Sequence, residues 1–367
     1  MRRAHAHCTT LRADAFRGHS PLGRPCGPIG ASLIDVLVGL ALGLLCIAVM
    51  YQAFLALDTA RRNASATADA ESGGTFALHA LAVHLGNAGA GFSLASPWLD
   101  TCPVIPDAAT TLRPIAVLIT DGGAADRPDT LVVRQSRAPS GAPAALASAA
   151  PAGAALRVES VDGFAAGDRI VAVSRTGTCA VADITAAGTP IAGVIEFASS
   201  PIAVDLAAST VLINLGRAGE SAVTRYDVAT GNLRSADIGN GDAPAPLAAN
   251  VVNAKFQYGI DTDGDGALDT WTAATGAWSA ANVLAAPHAV LARIKAVRIG
   301  LVVRTEERER ERTRSERWVL FDCELEDKAA CQGRLEGTVA PTSAGGYRYR
   351  TFERVVALRN ALWNRAP

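Results

Sequence analysis

The sequence predicts an α+β protein: a long N-terminal helix, membrane-spanning and then amphipathic, followed by a β-strand-rich globular head. Three observations predict it. An apolar run lies near the N-terminus, a stripe of apolar residues at helical spacing follows it, and beyond residue 93 short strand-like segments are separated by Gly, Pro, Ser and Asp. The 367 residues, 49% hydrophobic, suffice for one large domain or two modest ones. With 34 basic against 35 acidic residues the net charge is -1, so the composition does not point to nucleic acid as a partner.

The first element is the run from Val36 to Leu57, which holds no charged side chain. At ~1.5 Å per residue it makes a helix of roughly 33 Å, long enough for a bilayer core of about 30 Å. A soluble helix of that length would show a polar face, and none is visible. Residues 1–30 carry Arg2, Arg3, Arg12, Arg17 and Arg24 against Asp14, whereas Asp58, Arg61, Arg62, Asp69 and Glu71 nearly cancel. The positive-inside rule then keeps the N-terminus in the cytoplasm and exports the C-terminal bulk. A cleaved secretory signal fits poorly, because Tyr51 or Phe54 would stand where a small residue is needed. A lipoprotein signal also fits poorly, because Leu45 precedes Cys46. A plain uncleaved anchor fits the run but leaves Asp35 in its first turn unexplained.

The stretch Gly30–Gly43, "GASLIDVLVGLALG", resembles the type IV prepilin processing site, whose pattern is Gly, then Phe-Thr-Leu-x-Glu, then an apolar run. Gly30 stands before the cut, Ala31 becomes the methylated N-terminus in place of Phe, and Asp35 replaces the Glu. The resemblance implies cleavage and N-methylation by a prepilin peptidase. It also implies that Asp35 meets the freed amine of a neighbouring subunit. An ionised carboxylate in a bilayer is costly and normally partnered, and such a pair sets register more than it adds stability. Capping of the helix dipole is the plainer role for the same residue. Gly39 and Gly43 would let another helix approach closely.

The second element is the helix continuing into water over residues 58–92. Phe76, Leu78, Leu81, Leu85 and Ala88 form its stripe, Gly73 and Gly74 soften it, and Gly86, Gly89 and Gly91 end it. His79 and His84 read as surface histidines. The head follows over residues 93–367. Its predicted strands are 114–120, 129–135, 155–161, 169–174, 209–215, 222–228, 251–260, 294–305 and 317–321. The Ala- and Pro-rich segment 138–155 reads as a mobile loop. The charge-alternating run 304–318 reads as an exposed hairpin or a loop between strands.

In order along the chain, "FALHALAVHLGNAGAGF", "GDRIVAVS" before Cys179, "VTRYDVATGNLRS", "NVVNAKFQYGIDTDGDGALDTW", "AVRIGLVVRT" and "YRYRTFERVVALRN" resemble passages of PilW-like minor pilins. The resemblance spans roughly residues 27–360. It implies a leader over 1–30, a pilin N-terminal helix over 31–57 and a periplasmic head held at the inner membrane and in the assembled pilus. It further implies a role in initiating or capping type IV pilus assembly. The implied partners are other minor pilins, the major pilin and a tip adhesin. A J-type pseudopilin of type II secretion shares this architecture. A membrane-anchored, calcium-dependent adhesin or binding module that never enters a fibre is the alternative from another class.

One stretch carries metal-like chemistry. In "DTDGDGALDTWT", Asp261, Asp263 and Asp265 occupy positions 1, 3 and 5 of an EF-hand-like calcium loop. Gly266 supplies the sharp turn, Ala267 a carbonyl and Asp269 position 9. Thr272 replaces the bidentate Glu of position 12, which predicts weak Ca2+ binding. An Asp-Gly hairpin turn uses the same residue types. Cys102, Cys179, Cys323 and Cys331 allow three pairings. Cys102–Cys179 and Cys323–Cys331 are favoured because the second closes a short polar loop, and no C-x-x-C spacing suggests zinc. Disulfides imply an oxidising compartment. No catalytic motif of the serine hydrolase, zinc protease or Walker A type occurs, so the chain reads as a non-enzyme.

Overall fold

Helix α1 (Leu33–Gly86) begins at a reciprocal cap. The Ile34 N–H donates to Ser32 Oγ at 3.3 Å, and the Ser32 N–H donates to Asp35 Oδ2 at 3.2 Å. The computed structural model describes residues 32–91, 105–107, 110–112, 115–138, 144–174, 179–187, 193–197, 202–208, 210–218, 223–238, 241–308, 314–339 and 346–362. The chain divides into two units, Met1–Arg61 and Arg62–Pro367.

In the first unit, the large apolar side chains from Leu33 to Leu57 are exposed, from 46% at Leu55 to 78% at Leu33. Among the described residues of this unit none of these side chains is buried, whereas a core helix of a soluble protein would bury a stripe. Length and hydropathy make it a candidate membrane span.

In the second unit, α1 buries Ala70, Gly74, Ala77, Leu81, Ala82 and Leu85, with Leu78 partly covered. Phe76 is 54% exposed, which corrects the predicted stripe. Its phase is set instead by Gly74, where a Cβ would overlap the Phe352 ring. Gly74 is therefore a packing position, and the helix runs through Gly73 and Gly74 unbroken. The helix stops where Gly89 and Gly91 take φ values of +76° and +81°. The Gly89 N–H donates to the Arg134 carbonyl at 2.8 Å, which ties this turn to the head.

The head is built from short antiparallel strands. Among the described residues they are β1 (Ile105–Asp107), β2 (Thr110–Leu112), β3 (Val117–Thr120), β4 (Thr130–Arg134), β5 (Ala144–Ala145), β6 (Leu156–Arg157), β7 (Asp168–Val173), β8 (Cys179–Ala187), β9 (Val194–Phe197) and β10 (Val211–Arg217). Then come β11 (Val223–Ala229), β12 (Asn232–Asp237), β13 (Ala245–Ala249), β14 (Val251–Ile260), β15 (Thr270–Ala273), β16 (Ile294–Arg304), β17 (Glu316–Leu320), β18 (Leu335–Val339) and β19 (Tyr349–Ala357). The larger sheets have the orders β5-β10-β7-β8-β9-β6, β13-β12-β11-β4-β3 and β15-β14-β16-β19. Short helices α2 (Ala280–Ala285) and α3 (His288–Leu291) precede β16, and α4 (Arg359–Leu362) follows β19.

One hydrophobic cluster joins the stripe of α1 to Ile119, Leu131, Phe256, Tyr258, Val297 and Ile299. A second fills the six-stranded sheet and includes Ala144, Leu146 and Ala150. These three residues belong to the segment expected to be a mobile loop. From residue 144 onward it packs instead, because the Leu146 N–H reaches the Thr210 carbonyl and the Ala150 N–H the Leu206 carbonyl; residues 139–143 lie outside the described ones.

Candidate functional site

Gly30 and Ala31 lie outside the described residues, so the cleavage site itself has no geometry here. Asp35 is exposed and holds the Ser32 N–H through one oxygen. The carboxylate that the sequence singled out for docking thus serves as a helix cap in the isolated chain.

The acidic loop is the connection between β14 and β15, an antiparallel hairpin. Gly264 and Gly266, at φ +86° and +95°, give the turn a path that other residues resist. Asp261 Oδ1 accepts from the Gly264 N–H at 2.6 Å and Oδ2 from the Gly266 N–H at 2.9 Å. Asp263 and Asp265 accept from the N–H groups of Asp265 and Ala267. Asp261, Asp263 and Asp265 each offer a carboxylate oxygen, and the three oxygens lie within 4.8 Å of one another. A hard cation needs this convergence of oxygens, so the residues present fit Ca2+. Asp269 is turned to another task, since its Oδ2 accepts from both the N–H and the hydroxyl of Thr262 at 2.6 Å.

Electrostatics follow from these partners. Burial pushes the Asp261 carboxyl up, but the glycine N–H groups and the Lys295 ammonium, 3.4 Å away, outweigh it and hold the group below the usual carboxylate range. The Thr262 hydroxyl and N–H hold Asp269 low as well.

Cys323 and Cys331 form a disulfide with a Cα–Cα distance of 5.6 Å. Cys179 is also disulfide-bonded, Cys102 lies outside the described residues, and Cys46 is a free, exposed thiol. The residues just after Cys331 hold the acidic hairpin's sheet. Gln257 Nε2 donates to the Gly333 carbonyl at 2.8 Å, and the Trp271 N–H to Gln332 Oε1 at 3.3 Å. The Arg298 guanidinium is stacked between Phe321 and Trp271, 4.3 and 5.0 Å from their ring centres, and also bonds Gln257. Sequence reasoning missed Arg298, which reads there as one more polar position of an alternating strand.

His84 is not a surface histidine. It is half-buried, with Nδ1 2.5 Å from the Tyr226 hydroxyl, and burial together with nearby Arg137 lowers its pKa. His79 is exposed. Residues 309–313 of the charged run lie outside the described ones. At its start, Arg304 and Arg308 stack on Tyr347, at 4.3 and 5.0 Å.

Residues 218–360 match the family model described as Type IV Pilus-assembly protein W, PilW. No curated protein and no solved structure matches significantly. The matched region begins just before β11 and contains the acidic hairpin, the Cys323–Cys331 loop and β19. Over residues 218–360, the later part of the head, the chain is similar to the PilW family of type IV pilus-assembly proteins.

Proposed function

We propose that the protein is a minor pilin, working with other minor pilins at the inner membrane to initiate or cap a type IV pilus. In this reading the leader is cut after Gly30 and Ala31 is methylated. The segment Leu33–Leu57 packs among neighbouring pilin helices, and the head faces the periplasm and contacts other pilins or a tip adhesin. The role is structural; the one reaction it requires is carried out on the chain by the prepilin peptidase. The observation that carries the reading is an exposed apolar helix segment led by Asp35, in a chain whose residues 218–360 match PilW. That match also favours the pilus over a type II secretion pseudopilin.

N-terminal mass analysis of the membrane-extracted protein tests it. Mature chains beginning at methylated Ala31 are the expected result. An intact leader would overturn the pilin reading in favour of a plain membrane anchor.

The acidic hairpin is proposed to hold Ca2+ through Asp261, Asp263 and Asp265, on the strength of their converging oxygens. With Thr272 at the twelfth position and Lys295 already paired to Asp261, the affinity should fall near the extracellular range of about 10⁻⁴–10⁻³ M. Calorimetric titration of the detergent-solubilised protein should show one weak site that is lost in Asp263→Asn. Absence of binding heat in the parent chain would remove calcium from the account.

A further inference from the structure

The centre of β14 carries an anomaly. Of the 34 basic residues only three are lysines, Lys255, Lys295 and Lys328, the rest being arginine. Lys255 sits in the middle of an apolar strand, with its side chain 4% exposed. Its Nζ lies 2.7 Å from Oδ1 of Asp129, whose side chain is 5% exposed, and 3.8 Å from Oδ1 of Asp121. The surrounding backbone is organised around the Asp129 carboxyl. The Gly122 N–H donates to Oδ1 at 2.9 Å and the Phe256 N–H to Oδ2 at 3.0 Å. The loop 121–129 is also pinned to β14, because the Asp129 N–H donates to the Ala254 carbonyl and Asn253 Nδ2 to the Ala125 carbonyl, both at 2.8 Å.

The geometry points to an intramolecular isopeptide bond between Lys255 Nζ and the Asp129 carboxyl carbon, with Asp121 as the proton relay. Three features make an amide accessible here that water would forbid. Burial disfavours the charged form of a carboxylate, which favours the neutral acid at Asp129. In accord, burial raises the Asp129 pKa against the lowering by Gly122, Lys255 and Phe256. The fold holds the nucleophile 2.7 Å from an oxygen of the electrophilic carboxyl, replacing an encounter with a unimolecular step. The two backbone N–H groups face the oxygens on which negative charge would develop during attack. Arginine could not substitute, since its guanidinium stays protonated and is not a nucleophile.

The step balances without a co-reactant. The ammonium gives one proton to the Asp129 carboxylate, and the freed amine attacks the carboxyl carbon, forming the C–N bond. Asp121 takes the second amine proton and delivers it to the departing hydroxyl, the C–O bond breaks and one water leaves. The product would join the loop between β3 and β4 to β14, closing a covalent tie across 126 residues between two sheets. Such a tie suits a head that bears load along a fibre, but its formation does not depend on the protein's being a pilin.

Tandem mass spectrometry of a digest of the reduced, full-length, membrane-extracted protein tests the proposal. The expected product is a branched peptide joining residues 129 and 255, lighter by one water than its two linear parts. Recovery of both residues only in separate linear peptides would overturn it. In Asp121→Asn chains that retain the parent's circular dichroism, the branched fraction should fall at least tenfold, and Asp121→Glu should restore it. Full branching in Asp121→Asn would overturn the relay role of Asp121.

Discussion

Asparagine at position 35 is expected to lower surface piliation of the host by about tenfold or more, the ratio equivalent to roughly 1.4 kcal/mol. Two roles compete for this residue. As a cap, Asp35 accepts the Ser32 N–H, and the side-chain oxygen of asparagine can do the same. As a docking group it must carry a negative charge to meet a neighbour's amine inside the bilayer, and asparagine carries none. Asp35→Asn therefore separates the two roles, whereas Asp35→Ala removes both and costs about 1 kcal/mol at the helix end besides. Asp35→Glu restores the charge and should keep piliation near the parent level. The measurement is sheared surface pili quantified from complemented host cells, with the extracted protein assayed for level and helicity. Piliation of Asp35→Asn equal to the parent would leave capping as the whole role of this carboxylate.

Long, apolar elements were the legible ones. β14 runs from Val251 to Ile260, the bounds that its composition suggests, and β16 differs from its predicted range by one residue. Both lie in the middle of a sheet, and apolar residues at alternate positions, Ala254, Phe256, Tyr258 and Ile260 in one and Val297, Ile299, Leu301 and Val303 in the other, mark them as strands. β8 was not legible, because "CAVADITAA" is rich in alanine and carries Asp183, residue types that strands disfavour; its strand state comes from pairing with β7. The same blindness made 144–150 look like a loop. At Gly74 the reasoning failed differently, since a residue with no side chain gives no apolar signal even though Phe352 fills its place. The acidic hairpin was legible because its ligands are neighbours in sequence. The Lys255–Asp129 contact was not, because its halves lie far apart and a lone lysine in a strand is silent about its partner.

The helix and the head share one core, and the sharpest test of that is Leu81→Ala, expected to destabilise the head by about 2–5 kcal/mol. Leu81 is fully buried one turn before Leu85, which is also fully buried, and both belong to the cluster that contains Ile119, Leu131 and Val297. Truncation removes an isopropyl group from that cluster, and a helix clamped at its far end by the Gly89–Arg134 backbone bond has little freedom to collapse into the space. Phe76→Ala is the matched control: a larger deletion in the same helix, but at a position 54% exposed, where the cost should stay within about 0.5 kcal/mol. Urea unfolding of the solubilised full-length chains, followed by head fluorescence, should lower the midpoint for Leu81→Ala and leave it in place for Phe76→Ala. Equal midpoints for the two would mean that α1 contributes no core to the head, and that the fold from Arg62 onward is held by its sheets alone.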